Sequence, residues 1–126
     1  MKIPNFFRPA QVGNISQETK DNIEKSTSKL IQSLNRIGNV VEPKGSKIMG
    51  MHDKAESYAR QLAKSANKGN LNATLKNVLK LDKHSEKFFN CAGSPFTRED
   101  IHNARAVNQK LTVLVAQAVA LRSQRS

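Results

Sequence analysis

Apolar residues in this chain recur at intervals of three and four, and no stretch alternates apolar with polar. That interval lines one side of an α-helix, whereas a half-buried strand needs an interval of two. The clearest instance runs through Ala55, Tyr58, Ala59, Leu62, Ala63 and Ala66. Others run through Ile23, Leu30, Ile31, Leu34 and Ile37, and through Ile101, Ala104, Asn108, Leu111, Val115 and Ala118. No Asn-Gly hairpin and no internal repeat competes. The chain therefore reads as an all-α helical bundle of four to five helices. The 126 residues suffice for one domain. Residues 1–15 are expected to form a flexible N-terminal arm, with Phe6 and Phe7 as its anchors, and residues 16–126 a single helical domain.

Punctuation residues divide the pattern. Ser16 is the expected N-cap of a first helix ending at Ile37, with Gly38 behind it. Residues 38–52 carry Pro43, Gly45 and Gly50 and read as a long linker. A second helix is expected from Asp53, where Asp53 and Glu56 have the spacing of a capping box, and Gly69 ends it. Asn70 caps a third helix to about His84, with Leu71, Leu75, Val78 and Leu79 facing inward. A short fourth helix is expected over Ser85–Ala92. The last helix opens at Thr97, a capping residue followed by Asp100, with Phe96 and Ile101 in the positions of a hydrophobic staple. It runs to about Arg122, and Arg122 and Arg125 sit at its negative dipole end.

Composition removes several functional classes. A single cysteine, Cys91, forbids an intramolecular disulfide and a Cys-rich zinc site, and its neighbours Phe88 and Phe89 place it as a small buried hydrophobe. The most apolar run, Leu111–Leu121, is too short for a membrane span, which needs about 20 residues. The first residues lack the apolar core of a secretory signal. His52, His84 and His102 have no partner at metal-ligand spacing, and His52 falls in the expected linker. No nucleophile elbow, Ser-x-x-Lys pair or phosphate loop is present. No catalytic residue, metal or cofactor is expected, and the chain reads as a non-enzyme.

Charge is the remaining signal. There are 21 Lys and Arg against 10 Asp and Glu, a net charge of +11. No acid lies between Ser57 and Leu81 or after Asp100. Arg60, Lys64 and Lys68 stand four apart and make one helical stripe. Lys76, Lys80, Lys83 and Lys87 make a second. Two readings stay open: a face tuned for solubility, and an anion-binding face. A helix-turn-helix is disfavoured, because Lys64, Lys68 and Asn70 would fall where that motif buries apolar residues.

The last helix carries a second candidate surface. Val113, Ala116 and Ala120 extend its apolar character to faces beyond the main stripe. Either the helix is the central rod of the bundle, or these residues form a seam for a partner or a second copy. The function expected is that of a non-catalytic helical interaction protein docking on a protein partner. The alternatives are a nucleic-acid-binding accessory protein of weak sequence specificity and a peripheral binder of anionic membranes. The Ser/Thr/Asn-rich N-terminal region loosely looks like the start of bacterial proteins exported by specialised secretion machines. Twelve asparagines suggest a mobile or phage-derived source.

Overall fold

The computed structural model describes residues 15–125, with side chains through Arg122. Four helices follow one another: α1 (Gln17–Val41), α2 (Ser46–Asn67), α3 (Leu71–Ala92) and α4 (Arg98–Arg125). A single 3-10 turn, Glu42–Lys44, separates α1 from α2. No strand occurs among the described residues. The expected arm with Phe6 and Phe7 lies outside them, as does the Arg125 side chain. Ile15, the last residue of that arm, is buried.

Each helix buries one stripe, and all four stripes keep the same beat. In α1 it is Ile23, Thr27, Leu30, Leu34, Ile37 and Val41. In α2 it is Ile48, His52, Ala55, Ala59, Leu62 and Ala66. In α3 it is Leu71, Thr74, Val78, Leu81, Ser85, Phe88 and Ala92. In α4 it is Ile101, Ala104, Asn108, Leu111, Val115 and Ala118. Steps of three and four alternate without a slip, giving a 3.5-residue repeat, the register of coiled-coil packing in antiparallel bundles. Burying one Leu or Ile of these stripes stabilises the fold by about 1.5–3 kcal/mol.

The packing joins α1 to α2, α2 to α3, α3 to α4 and α4 back to α1. Cross-helix bonds give the directions. Arg36 near the end of α1 meets Asp100 near the start of α4. Arg122 near the end of α4 donates to Asn72 near the start of α3. Tyr58 of α2 stacks on His84 of α3, and one turn further along α2 the Gln61 carbonyl accepts from Asn77, earlier in α3. Neighbours therefore run antiparallel around the ring.

The helix starts follow local chemistry. The Ser16 hydroxyl accepts from the Thr19 amide, and the Asn70 side chain accepts from the Ala73 amide, as expected of N-caps. Gly69 takes a φ of 75°, the left-handed conformation that closes α2 at little cost for glycine.

Several expectations are corrected. Residues 38–52 are not a long linker: α1 continues to Val41 and α2 starts at Ser46. Gly38 lies inside α1, buried where the His52 ring crosses it, and is not a cap. Asp53 lies inside α2 and caps nothing. Ser85–Ala92 is the last part of α3 and not a helix of its own. Leu75 and Leu79 are exposed, while Thr74 and Ser85 take core places. Thr97 stands before α4, and its carbonyl accepts from the Ile101 amide. Its hydroxyl donates to the Ala92 carbonyl at 2.7 Å, so it closes α3 rather than capping α4. Phe96 is 82% exposed and makes no staple with buried Ile101. Cys91 is exposed.

Candidate anion-binding groove

The 3.5-residue register assigns every side chain of α2 and α3 to a shoulder. On the shoulder of α2 toward α3 come Met51 and Tyr58, with Lys47 and Lys54 beyond them. On the shoulder of α3 toward α2 come His84 and Cys91, with Lys80 and Lys87 beyond. Contacts agree with this placement. The Tyr58 and His84 rings stack with centroids 5.1 Å apart and planes 11° from parallel. The Lys80 Nζ lies 5.9 Å from the Tyr58 centroid, a cation–π distance. Lys47, Gly50, Met51, Lys54, His84 and Lys87 line one open depression of about 290 Å³. Gly50 is exposed at its edge, where an added Cβ would meet no atom within 4 Å.

The acids of these two helices stand elsewhere. Asp53 and Glu56 point to the α1 side of α2, where Asp53 meets His52 and Glu56 holds Arg60. Glu86 faces α4 and takes both a Nε and a terminal nitrogen bond of Arg105 at 3.0 Å. The register puts Asp82 on that same side. No acid lines the depression between α2 and α3. Among the described residues no lysine takes part in an ion pair; arginine and histidine supply every one. The consequence is visible at His84. Partial burial, then Lys54, Lys87, Lys83 and Lys80, hold its imidazole below the ordinary value of 6.5. The lysine share of that shift, as distinct from the burial that leads it, is a positive field that also favours an anion.

No protein-family model, curated protein or solved structure matches the chain.

The residues singled out by spacing fall into three groups. Lys80 and Lys87 stand on the groove, with Lys83 close enough to act on His84. Lys76 is exposed on the outer side of α3, and Lys68 stands at the end of α2. Arg60 and Lys64 border a different depression together with Asp53 and Glu56, and Arg60 is bound to Glu56. The stripe Arg60–Lys64–Lys68 is thus not continuous with the groove. Lys47 and Lys54 belong to it and were missed. Extending the α2 repeat back across Gly50 would have found them, since 47, 54, 61 and 68 share one helical position.

Val113, Ala116 and Ala120 are all exposed on the outer side of α4, Val113 by 53%. The central-rod reading of α4 does not hold, because this helix is one wall of the ring and its outer face is uncovered.

Two other polar places bear on chemistry. The His52 ring is buried in α2, not in a linker. Its Nδ1 lies 2.9 Å from Asp53 Oδ1 and its Nε2 lies 3.0 Å from the Asn35 side-chain oxygen. One donor atom each from His52, Asp53 and Glu56 lies within 4.8 Å of the others, the one such group among the described residues. Both ring nitrogens and Glu56 are already engaged by protein partners, so the cluster ties α2 to α1. A larger depression beside the α3–α4 turn is lined by Arg98, His102 and Arg105. Arg105 is there committed to Glu86 and to the face of Phe89, 5.5 Å away. No described helix is long and apolar enough to cross a membrane.

Proposed function

We propose that this protein is a non-catalytic helical interaction module that docks on an acidic protein partner through the α2–α3 groove. The observation that carries the proposal is the sorting of charge. Lysines border the groove with no acid in its lining, while Asp53, Glu56 and Glu86 of the same two helices pair with His52, Arg60 and Arg105 away from it. Solubility alone needs net charge and no such sorting.

A nucleic-acid ligand fits less well. The Tyr58 ring is covered by His84 and approached by Lys80, so the groove offers no free aromatic surface on which a base could stack. A second reading rests on the exposed Val113, Ala116 and Ala120, which form an apolar seam for a partner helix. The deciding experiment titrates the protein with polyglutamate, duplex DNA and anionic vesicles at several salt concentrations. The expected result is binding of polyglutamate that is lost in a Lys54→Glu, Lys80→Glu, Lys87→Glu variant of unchanged helicity. Preference for DNA with a steep salt slope reassigns the groove to nucleic acid. Loss of partner binding in Ala120→Glu, with the groove variant unaffected, moves the interface to the α4 seam.

A further inference from the structure

Which acidic structure the groove accepts is a question of spacing, and its walls are helices. Lys47 and Lys54 stand seven residues apart on α2, and so do Lys80 and Lys87 on α3. At 1.5 Å per residue, each pair spans about 10.5 Å along the groove. The floor keeps the same period, with Met51 and Tyr58 on one side and His84 and Cys91 on the other. Because α2 and α3 run antiparallel and Tyr58 meets His84, the two lysine rows are staggered: Lys54 stands across from Lys87, Lys47 flanks one end of the floor and Lys80 the other, beside Tyr58.

We infer that the groove receives an amphipathic acidic α-helix from a partner, lying along α2 and α3 and completing a three-helix contact. The inference rests on the acidic-partner reading above and specifies the form that partner takes. A helix with a seven-residue repeat presents apolar residues to the floor and carboxylates to each flank every two turns. That matches both lysine rows, in the manner of the flanking charges of a coiled coil. An extended acidic strand places same-side carboxylates about 6.6 Å apart and falls out of step with lysines about 10.5 Å apart.

Charge also says where the helix comes from. The residues preceding Ile15 carry Lys2 and Arg8 and no acid, and no acid follows Asp100. These flanks repel the groove. Of the acids on its own helices, Asp53 meets His52, Glu56 holds Arg60 and Glu86 holds Arg105. With a net charge of +11 a second copy of the chain is repelled as a whole, so the occupant is a different, acidic chain.

Two synthetic peptides of identical composition test this, each of about three heptads. One carries leucine at the inward positions and glutamate at the flanking positions. The other has the same residues in an order that breaks the repeat. Binding is measured by fluorescence anisotropy at matched salt, peptide helicity by circular dichroism, and the His84 imidazole by NMR. The patterned peptide is expected to bind at least about tenfold more tightly than the scrambled one. It should become helical on binding and make His84 easier to protonate. Lys54→Gln with Lys87→Gln should erase the difference without disturbing the bundle core. Equal binding of both peptides overturns the helix inference and leaves an acidic partner in place. Binding of neither overturns both readings. Tighter binding of an acidic peptide held extended by proline also overturns the helix inference.

Discussion

Replacing Gly38 by alanine tests how tightly α1 and α2 are keyed together. In an exposed helix interior this change stabilises by about 1 kcal/mol, because glycine gives up more backbone entropy than alanine. Here the new Cβ would lie 3.0 Å from His52 Cδ2 and 3.2 Å from Nε2. Carbon atoms rest about 3.5–4.0 Å apart, so the ring would have to retreat by about half an ångström. It has little freedom to do so. Asp53 and Asn35 hold its two nitrogens, and Phe88 packs edge-on with centroids 5.6 Å away. Overpacking of this kind costs about 1–3 kcal/mol, and loosening the Asn35 bond adds about 1 kcal/mol. The net expectation for Gly38→Ala is a loss of about 2 kcal/mol. Gly50→Ala is the internal control. Gly50 also lies in a helix, and its Cβ would meet nothing, so this change should gain up to about 1 kcal/mol. Urea denaturation followed at 222 nm measures both, provided the slope is unchanged. A double-mutant cycle with His52→Ala should return a coupling of about 1–3 kcal/mol. If Gly38→Ala stabilises as much as Gly50→Ala and the coupling is zero, the keyed contact is not there.

Three further outcomes are expected. Thr97→Ala should cost about 1–3 kcal/mol in urea denaturation, because the buried Ala92 carbonyl loses its donor, while Thr97→Ser should stay close to wild type. Asn108→Leu should raise stability by a similar amount, about 1–3 kcal/mol, since both polar atoms of this buried side chain lack protein partners; a lower midpoint refutes it. NMR titration should show His84 protonating below 6.5, moving back up with added salt. Because the folded protein takes this proton less readily than the unfolded chain, His84 lowers stability as pH falls through 6.5 toward its folded value. A His84 that titrates above 6.5 in low salt contradicts the crowding by lysines.

The helical class was legible because Ala55, Ala59, Leu62 and Ala66, and the α4 stripe through Asn108, hold their spacing without gaps. The α1–α2 junction was not. Gly38 reads as a stop in sequence, but it is glycine because His52 passes against it, a reason that exists only once two helices meet. Leu75 and Leu79 were read inward on hydrophobicity, while Thr74 and Ser85 occupy the core. Thr74 can do so because its hydroxyl donates back to the Asn70 carbonyl and is not left bare. Lys80, Lys83 and Lys87 were visible from spacing alone. Lys47 and Lys54 were hidden by the misplaced start of α2, and the segregation of acids from lysines is visible only with all four helices in register.

The ring of helices also has a kinetic side. Three of its four seams join helices separated by turns of only a few residues, and only the seam between α1 and α4 brings together distant parts of the chain. Short loops close on a timescale of tens of nanoseconds, and chains dominated by near-neighbour pairing fold in about microseconds to milliseconds. The α1–α4 seam bears the largest loop-closure entropy of the four. Among the described residues its one cross-helix ion pair, Arg36 with Asp100, is solvent-exposed and adds little to hold it shut. Loop closure thus weakens the α1–α4 seam while thin packing weakens the α3–α4 seam, and both involve α4, so amide hydrogens of α4 are expected to exchange ahead of those between α2 and α3.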